Sequence, residues 1–375
     1  MSGPGGTKRP ATRQRVLRAK RLAWRVRRIL GRMLGWKRTT YIHERLAQYR
    51  SYWKNAAQAL GADFEPLCRD IWEIRLRSRR TRVSHYLVPI DNPVTLRLAG
   101  NKPYCSAVAE RLGLPVPPHR TFVFGEIEAA WRFMGAHQGP FVVKPASGSS
   151  SGLGVTTHVR NRRQLESAVA LASLYGEELM IEAMVPMESC RLLYLEGELI
   201  HAVRRRGVRV VGDGQANVDD LLARRGLARL RSDRAVLATL EAQGLGLASR
   251  PAAGHECVVR YLPAGERVTH ELRTVYNESI TDRVCPGLSR AVAAVVNEIG
   301  ARFAGVDILT NDPAVPLAAS GGVFLELNTT PGLHHHYIGQ EGPAVTLRVL
   351  RHLLQEPIHE QRSDRFPAGE RRALS

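Results

Sequence analysis

Lysine is scarce in this chain. The sequence has 54 basic residues, and only six of them are lysine: Lys8, Lys20, Lys37, Lys54, Lys102 and Lys144. Arginine and lysine are not interchangeable, because a guanidinium is a planar fork and an ammonium is a compact point charge. A lysine in the body of this chain therefore indicates a site that requires an ammonium group.

Long apolar runs and clustered cysteines are also missing. No stretch of 18 or more apolar residues occurs, so no transmembrane helix is predicted. The N-terminus lacks the apolar segment that a secretory signal requires. The five cysteines are scattered and form no CxxC pair. We therefore expect neither a disulfide framework nor a zinc site, and we expect a cytoplasmic protein.

Acidic residues are absent from the N-terminal arm. Residues 1–40 hold 13 Lys or Arg and no Asp or Glu, whereas the remaining residues hold 41 basic and 35 acidic side chains. The net charge of +19 thus belongs mainly to the arm and does not indicate a specific nucleic-acid partner. Helical spacing of apolar residues from Thr12 to Trp36 predicts a basic amphipathic helix. We expect it to pack on its own protein; an anionic surface, an acidic partner or a transit-peptide role are the alternatives.

The hydrophobic pattern of the chain predicts an α/β protein in four segments. These are the basic arm (1–40), a small α/β lobe (41–118), a larger α/β domain (119–356) and a polar tail (357–375). The pattern predicts strands at 71–77, 80–88, 141–143, 179–181, 191–195, 198–203, 208–211, 305–309 and 323–327, and helices at 41–60, 103–112, 163–174, 218–224, 288–303 and 344–354.

A Gly/Ser-rich loop follows a short buried strand that ends in Lys144. A loop of this composition exposes backbone N–H groups that converge on an anion. Its candidate contacts are Ser147, Gly148, Ser149, Ser150, Ser151 and Gly152. The lysine precedes the loop, which excludes a Walker P-loop, and no GxGxxG motif is present. The alternative interpretation is a flexible linker, but a linker rarely lies between a buried strand and a helix.

Two acids and an amide lie on two predicted strands near the end of the large domain. Asp307 lies on one strand, and Glu326 and Asn328 are two positions apart on the next. That spacing places both side chains on one face of a strand. Carboxylate and amide oxygens suit Mg²⁺, with Mn²⁺ as a substitute. The alternative is a pair of strand-end acids neutralised by arginines.

Together these motifs resemble the ATP-grasp superfamily, and within it the ATP-grasp portion of cyanophycin synthetases and the D-alanine–D-alanine ligases. The similarity runs roughly from Gly61 to Leu354. Its most specific parts are the Lys144 strand and loop, residues 210–214, residues 326–332, and Asn101-Lys102-Pro103 at the start of a helix. The resemblance implies an ATP-grasp fold in which Lys102 and Lys144 bind the nucleotide phosphates.

Further roles follow from the same resemblance. Glu182 and the Val185 backbone would bind adenine, and Glu188 would stand in for the ribose acid, because Ser189 occupies the family's acidic position. The arginines that would hold the transferring phosphoryl or acyl group are Arg191, Arg204 and Arg205. Gly305 lies where D-alanine–D-alanine ligases have an arginine, which argues against that ligase. A Mur-ligase-like second half is not seen after Leu354, so we do not expect a whole cyanophycin synthetase.

The expected function is an ATP- and Mg²⁺-dependent ligase that activates a carboxylate as an acyl phosphate and joins it to an amine of an amino acid or peptide. A phosphotransferase using the same site and a non-catalytic nucleotide-binding scaffold are the alternatives, and a homodimer stays open. Gly212-Asp213-Gly214 is interpreted as a turn. The run His334-His335-His336 is interpreted as pocket wall or as contacts to the acceptor.

Overall fold

The computed structural model of the protein describes residues 10–33, 38–148, 152–205, 208–260, 277–337 and 341–355. Within these ranges the chain forms eleven α-helices and fourteen β-strands. In chain order the helices α1 to α11 are Pro10–Met33, Arg38–Leu60, Pro93–Ala99, Lys102–Arg111, Ile127–Ala136, Arg162–Ala172, Val218–Arg224, Arg234–Glu241, Pro286–Ile299, Leu317–Ser320 and Glu341–Gln355. The strands β1 to β14 are Asp63–Pro66, Trp72–Leu76, Arg79–Val83, His119–Val123, Phe141–Pro145, Thr156–Val159, Glu178–Ala183, Ser189–Leu195, Glu198–Arg205, Val208–Val211, Glu256–Arg260, Asn277–Ser279, Phe303–Leu309 and Val323–Thr329.

The strands form four antiparallel sheets. A three-stranded sheet has the order β1-β2-β3, a four-stranded sheet the order β4-β7-β5-β6, and a two-stranded sheet pairs β10 with β11. The largest sheet has the order β12-β9-β8-β13-β14. The two sheets that carry the candidate site residues are therefore the four-stranded sheet with Lys144 and the five-stranded sheet with Asp307 and Glu326.

The five-stranded sheet is covered on both faces. One face packs on α4 and α9 through a core that includes Val108, Leu192 and Val292. The other face, at the end where β8 meets β9, packs on α2 and α11 through Trp53 and Leu350 and their neighbours. Because successive residues of a strand point to opposite faces, each strand of this sheet supplies side chains to both layers.

The arm helix α1 packs on the chain's own body. Leu17 is 2% exposed and joins the core beneath the four-stranded sheet. Lys20 Nζ donates to Glu166 Oε2 at 2.8 Å, and Arg21 Nη2 donates to the Ser173 carbonyl at 3.1 Å. The opposite side of the helix exposes Leu22, Val26 and Ile29. The described residues of α1 therefore pack on the chain's own body, as expected for the arm.

The first residue of helix α4 lies in contact with the start of the Gly/Ser loop. The Asn101 side chain accepts a hydrogen bond from the Tyr104 backbone N–H at 3.0 Å, which caps the helix. Pro103 lies in the first turn, where its missing N–H costs nothing. The Lys102 backbone N–H donates to the Ala146 carbonyl at 3.0 Å. These contacts fasten the start of α4, and with it Lys102, to the end of β5.

Many predicted elements occur with small shifts of boundary. The strand 208–211 and the helix 218–224 coincide with β10 and α7. The hairpin of β8 and β9 turns at Glu196 and Gly197, as predicted. Asp213 accepts from the Gln215 and Ala216 backbone N–H groups at 2.8 and 2.6 Å, as expected for a turn. The sequence interpretation did not include β1, β4, β6, β11, β12, α3, α5, α8 or α10.

Some predicted features fall outside the described residues. They are the end of the arm at 34–37, the loop serines Ser149, Ser150 and Ser151, and the tail from 357 onward. Over the helices that the structure describes, none is long and apolar enough to cross a membrane. All five cysteines are free.

Candidate active site

Asp307 lies at the centre of a row of charged side chains that crosses three strands. On β13 it is directly opposite Arg191 of β8 and Glu326 of β14. Directly opposite residues in an antiparallel pair share a face, so the three side chains lie side by side. Arg191 Nε donates to Asp307 Oδ1 and Arg191 Nη2 to Asp307 Oδ2, both at 2.7 Å. This bidentate geometry fixes the aspartate and the arginine together.

A second arginine and an amide also contact Asp307. Arg205 Nη2 lies 2.9 Å from Asp307 Oδ2, and Asn328 Nδ2 donates to the same oxygen at 3.2 Å. The Asn328 amide also lies 3.4 Å from Glu326 Oε1, so it bridges the two carboxylates. Burial alone would raise the pKa of Asp307, but the charges of Arg191 and Arg205 outweigh it and lower that pKa to about 2. Asp307 is therefore an ionised carboxylate in a buried site.

The two lysines singled out in the sequence lie in the same region. Lys144 Nζ donates to Glu182 Oε1 at 2.7 Å, and both side chains are buried. Lys102 Nζ lies 3.9 Å from Glu326 Oε2. Burial lowers the pKa of Lys102, and the positive charge of Lys144 adds to this effect while Glu326 opposes it. The structure thus brings both Lys144 and Glu326 within electrostatic range of Lys102, although the three residues belong to three different elements.

The described part of the Gly/Ser loop turns away from β5 through glycines. Gly148 and Gly152 have φ values of 67° and 74°, in the left-handed region that favours glycine. Ser147 is half-buried. A side chain at Gly154 would meet Tyr175 and Pro145 at 2.9 and 3.0 Å, so glycine is also required there for close packing. The loop therefore leaves and re-enters the sheet through positions that only glycine adopts without strain.

The predicted adenine segment follows β7. The Ala183 backbone N–H donates to the Pro118 carbonyl and the Met184 N–H to the Pro140 carbonyl, both at 2.9 Å. These bonds hold the crossover from the four-stranded sheet to β8. Val185 is half-buried. Its carbonyl accepts from the Met187 N–H at 2.9 Å.

The structure separates Arg204 from Arg205. The two are consecutive on β9, so their side chains leave opposite faces of the strand. Arg205 contacts Asp307 and donates to Ser189 Oγ at 2.7 Å. Arg204 Nε instead lies 3.1 Å from Glu188 Oε2. Glu188 also pairs with Arg209 at 2.7 Å, a residue that the sequence interpretation did not include.

A side chain at Gly305 would be crowded by Pro331 and Arg191. A Cβ atom there would lie 3.0 Å from the Pro331 Cβ and 3.5 Å from the Arg191 Cδ. Arg191 therefore occupies the space beside Asp307 that a larger residue at 305 would need. The departure from the D-alanine–D-alanine ligase pattern has a steric basis in this chain.

A histidine cluster borders the row of charges, and the sequence interpretation recognised only part of it. His334 Nδ1 lies 2.8 Å from the Tyr49 hydroxyl. His336 Nδ1 lies 3.1 Å from His201 Nδ1, and His201 Nε2 lies 2.8 Å from Glu341 Oε2. Tyr49 and His201 were missed because they lie far from His336 in sequence, and Glu341, although only five positions after His336, was missed because no local pattern connects the two.

The donor set of Asp307, Glu326 and Asn328 fits a hard divalent cation. Each supplies oxygen, the ligand type that Mg²⁺ prefers, and Glu326 is a quarter exposed on the open side of the row. Both oxygens of Asp307 already accept hydrogen bonds, so a cation there would compete with Arg205 and Asn328. Among the described residues, no group of three or more His, Cys, Asp or Glu side chains forms another candidate metal site.

Part of this chain is similar in sequence to known proteins. The family model for the D-ala D-ala ligase C-terminus matches residues 108–209, which include Lys144, Glu182 and Arg191. The cyanophycin synthetase of Crocosphaera subtropica is 29% identical over 277 residues, 70% of this chain and 31% of that protein. The glutathione biosynthesis bifunctional protein GshAB of Streptococcus mutans is 27% identical over 71% of this chain and 37% of that protein. The chain thus spans about a third of the length of these relatives.

A solved structure shares the fold. The bifunctional glutathione synthetase from Pasteurella multocida matches 80% of this chain and 44% of its own, with a TM-score of 0.50 and 22% sequence identity.

Proposed function

We propose that this chain, which belongs to the ATP-grasp superfamily, is an ATP- and Mg²⁺-dependent carboxylate–amine ligase that acts through an acyl phosphate. The observation that carries the proposal is the meeting of two scarce lysines with the acidic row. The two lysines come from different elements: Lys102 lies within electrostatic range of Glu326, Lys144 and Glu182, and Lys144 pairs with Glu182. We propose amino acids or peptides as the substrates, the class to which the names of the relatives refer.

In this proposal the nucleotide lies between the four-stranded and the five-stranded sheets. Lys102 and Lys144 hold its phosphates, and the loop at Ser147, Gly148 and Gly152 covers them with backbone N–H groups. Glu182 and the Val185 backbone bind adenine, and Glu188 binds the ribose. The Glu182 carboxylate is paired with Lys144, and this hydrogen bond orients it for that role.

Mg²⁺ would be held by Asp307, Glu326 and Asn328, where it would neutralise charge on the phosphate oxygens. The Asn328 amide would then present its oxygen rather than its nitrogen to the cation. Glu326 offers the more accessible oxygens, because its other contacts, to Lys102 and Asn328, are longer than 3.3 Å.

Arg191 and Arg205 would hold the transferring phosphoryl and the oxyanion that forms at the acyl carbon. The Nε of Arg205 supports this role: it is buried and has no hydrogen-bond partner in the described part of the chain. A buried guanidinium with a spare donor suits an anionic group that arrives with the substrates. Arg204 faces the other side and would act on Glu188 instead.

A cytoplasmic location belongs to the same proposal. It is supported by the five free cysteines, since a reducing compartment keeps thiols unpaired.

The test is a pairwise screen of the standard L-amino acids and acidic peptides for ADP release with ATP and Mg²⁺. A ligase releases ADP when both a carboxylate and an amine are present, and it forms a hydroxamate when hydroxylamine replaces the amine. Glu326→Gln should abolish both signals. Glu278→Gln, which removes an exposed carboxylate paired with Arg283 near the sheet edge, should not.

Two other outcomes would contradict the proposal. A stable phosphorylated product that forms without any amine would identify a phosphotransferase. Wild-type protein that binds ATP and releases no ADP with any pair would indicate a scaffold.

A further inference from the structure

A chain of hydrogen bonds connects the buried His336 to the protein surface. His336 is fully buried, and its Nδ1 lies 3.1 Å from Nδ1 of His201. His201 Nε2 lies 2.8 Å from Glu341 Oε2, and Ser279 Oγ donates to the same oxygen at 2.5 Å. The Glu341 side chain is 56% exposed. The chain therefore runs from the interior to solvent through two imidazoles and one carboxylate.

The carboxylate determines which ring nitrogens carry protons. Glu341 is ionised, because hydrogen bonds from Ser279 and His201 lower its pKa. An ionised carboxylate only accepts, so His201 must donate from Nε2. With His201 neutral, its Nδ1 is an acceptor, and His336 then donates to it from Nδ1. The lone pair of His336 is thereby left on Nε2.

That nitrogen has no partner in the described part of the chain. His336 Nε2 is buried and makes no hydrogen bond there. An unsatisfied buried acceptor is costly and is uncommon unless it has a use. His336 also lies on the side of the sheet that carries Arg205, because its partner His201 and Arg205 are four positions apart on β9 and share a face. His336 therefore lies on the face of the sheet that carries the row of charges, and the hydrogen-bonding capacity of its Nε2 is unused.

We propose that His336 Nε2 receives the proton released by the amine nucleophile, and that His201 and Glu341 pass this proton to solvent. The proposal rests on the ligase function given above and identifies the acceptor subsite as one for an amine bearing an N–H group. His336 is the residue that contacts the amine, and His201 and Glu341 are positioning and relay residues.

The proton transfer balances as follows. The amine nitrogen forms a bond to the acyl carbon, and an N–H bond of the resulting adduct breaks as Nε2 of His336 takes the proton. The Nδ1–H of His336 passes to Nδ1 of His201, and the Nε2–H of His201 passes to Glu341 Oε2. Glu341 then releases a proton to water. The adduct expels phosphate, which leaves with the electron pair of the carbon–oxygen bond.

The surroundings of His336 suit this particular step. Burial, His201, Arg191 and Arg205 lower the pKa of His336 well below its ordinary value, and Asp307 opposes them. The imidazole therefore stays neutral and keeps its lone pair. A weak base of this kind does not deprotonate a free ammonium, but it can accept a proton from the tetrahedral adduct, whose nitrogen is strongly acidic. The amine must accordingly bind in its neutral form.

The hydrogen-bond chain can be tested on the protein without any substrate. Two-bond ¹H–¹⁵N correlation spectra of ¹⁵N-histidine-labelled protein distinguish protonated from unprotonated ring nitrogens. His336, assigned by the signal lost in His336→Gln, should carry its proton on Nδ1 over the neutral range. Glu341→Ala should change this tautomer, because His201 loses its acceptor. A His336 signal protonated on Nε2, or one that is unaffected by Glu341→Ala, would overturn the proposal.

The matched control is Glu198→Ala. Glu198 lies on β9 like His201 and pairs with Arg348 of α11 at 2.6 Å, so its removal cuts an exposed contact between the same two elements. It has no contact with the histidines, and the His336 signal should remain as in the wild type. A change as large as that caused by Glu341→Ala would show a structural effect and would also overturn the proposal.

Kinetic measurements then distinguish an effect on the amine step from an effect on activation of the carboxylate. With the substrate pair found by the ADP screen, His336→Gln should slow amide formation roughly 100-fold or more. Hydroxamate formation should fall less, because the nitrogen of the hydroxylamine adduct is more acidic than that of an alkylamine adduct and can lose its proton to water. Equal losses in the two reactions would overturn the proposal while leaving the ligase function intact. Absence of hydroxamate in the wild-type enzyme would instead refute the ligase function on which the proposal rests.

Discussion

Asp307 and Glu326 are expected to differ sharply in what their replacement does to stability. Asp307 is 2% exposed in its side chain and accepts from Arg191, Arg205 and Asn328. Asp307→Asn keeps the shape but leaves two buried guanidinium groups without their counter-ion. Removing one partner of a buried pair typically costs about 3–5 kcal/mol. Glu326 is a quarter exposed and lies 3.9 Å from Lys102, so Glu326→Gln should cost less than about 1 kcal/mol.

The assay is urea denaturation of both variants and the wild type at neutral pH and a low ATP concentration. We expect Asp307→Asn to lower the midpoint strongly with little change in slope, and Glu326→Gln to leave it near the wild-type value. Both variants should lose Mg²⁺-dependent ATP turnover. Equal stabilities of the two variants would refute the argument that Asp307 is the buried counter-ion of Arg191 and Arg205.

The ion pairs of Asp307 with Arg191 and Arg205 also predict a pH dependence of stability. The pKa of Asp307 is lowered from 3.8 to about 2 in the folded protein. A depressed carboxyl pKa contributes stability that is complete above the unfolded-state pKa and is lost as the pH falls through the folded-state value. A shift of this size corresponds to about 2 kcal/mol. The stability difference between wild type and Asp307→Asn should therefore shrink between about pH 4 and about pH 2, and a constant difference would contradict the assignment.

The remaining predictions concern the nucleotide, the two consecutive arginines and the arm. Lys144→Ala should strongly weaken ATP binding in calorimetry, and Lys144→Arg should restore it only in part; wild-type affinity in Lys144→Ala would locate the nucleotide elsewhere. Arg205→Met should reduce turnover by reducing kcat, whereas Arg204→Met should act mainly on KM for ATP through Glu188; identical effects would refute the division between the two faces. Leu17→Ala should destabilise the protein by about 2–3 kcal/mol in urea, while the half-exposed Val26→Ala should be nearly neutral, and a stable Leu17→Ala would mean that α1 does not pack as described.

The residues of the acidic row could be predicted from sequence because their positions follow a local rule. Side chains two apart on a strand share a face, and this places Glu326 and Asn328 together without knowledge of the fold. Lys144 could be singled out because the chain otherwise uses arginine. The superfamily followed from these motifs and agrees with the comparisons. The roles of the individual residues stay predictions.

The partners of these residues could not be predicted. Arg191 and Asp307 are 116 positions apart, and their bidentate contact depends on the register between β8 and β13. Register is determined by long-range packing of the two faces and not by either strand alone. The hydrogen bonds that connect His336 through His201 to Glu341 could not be predicted either, because they too depend on long-range packing. Short strands such as β11 and β12 were missed because a run of three to five residues has little periodicity of its own.

Arg204 and Arg205 show how a local rule can be available and still be overlooked. The sequence interpretation treated them as one basic pair, although residues next to each other on a strand point to opposite faces. On β9 this alternation sends Arg205 to Asp307 and Arg204 to Glu188. Glu188 also pairs with Arg209 from β10, so the candidate ribose acid is already flanked by two positive charges. In the proposed site, a ribose bound to Glu188 would therefore share that carboxylate with Arg204 and Arg209, and the two faces of β9 would contribute to two different parts of the site.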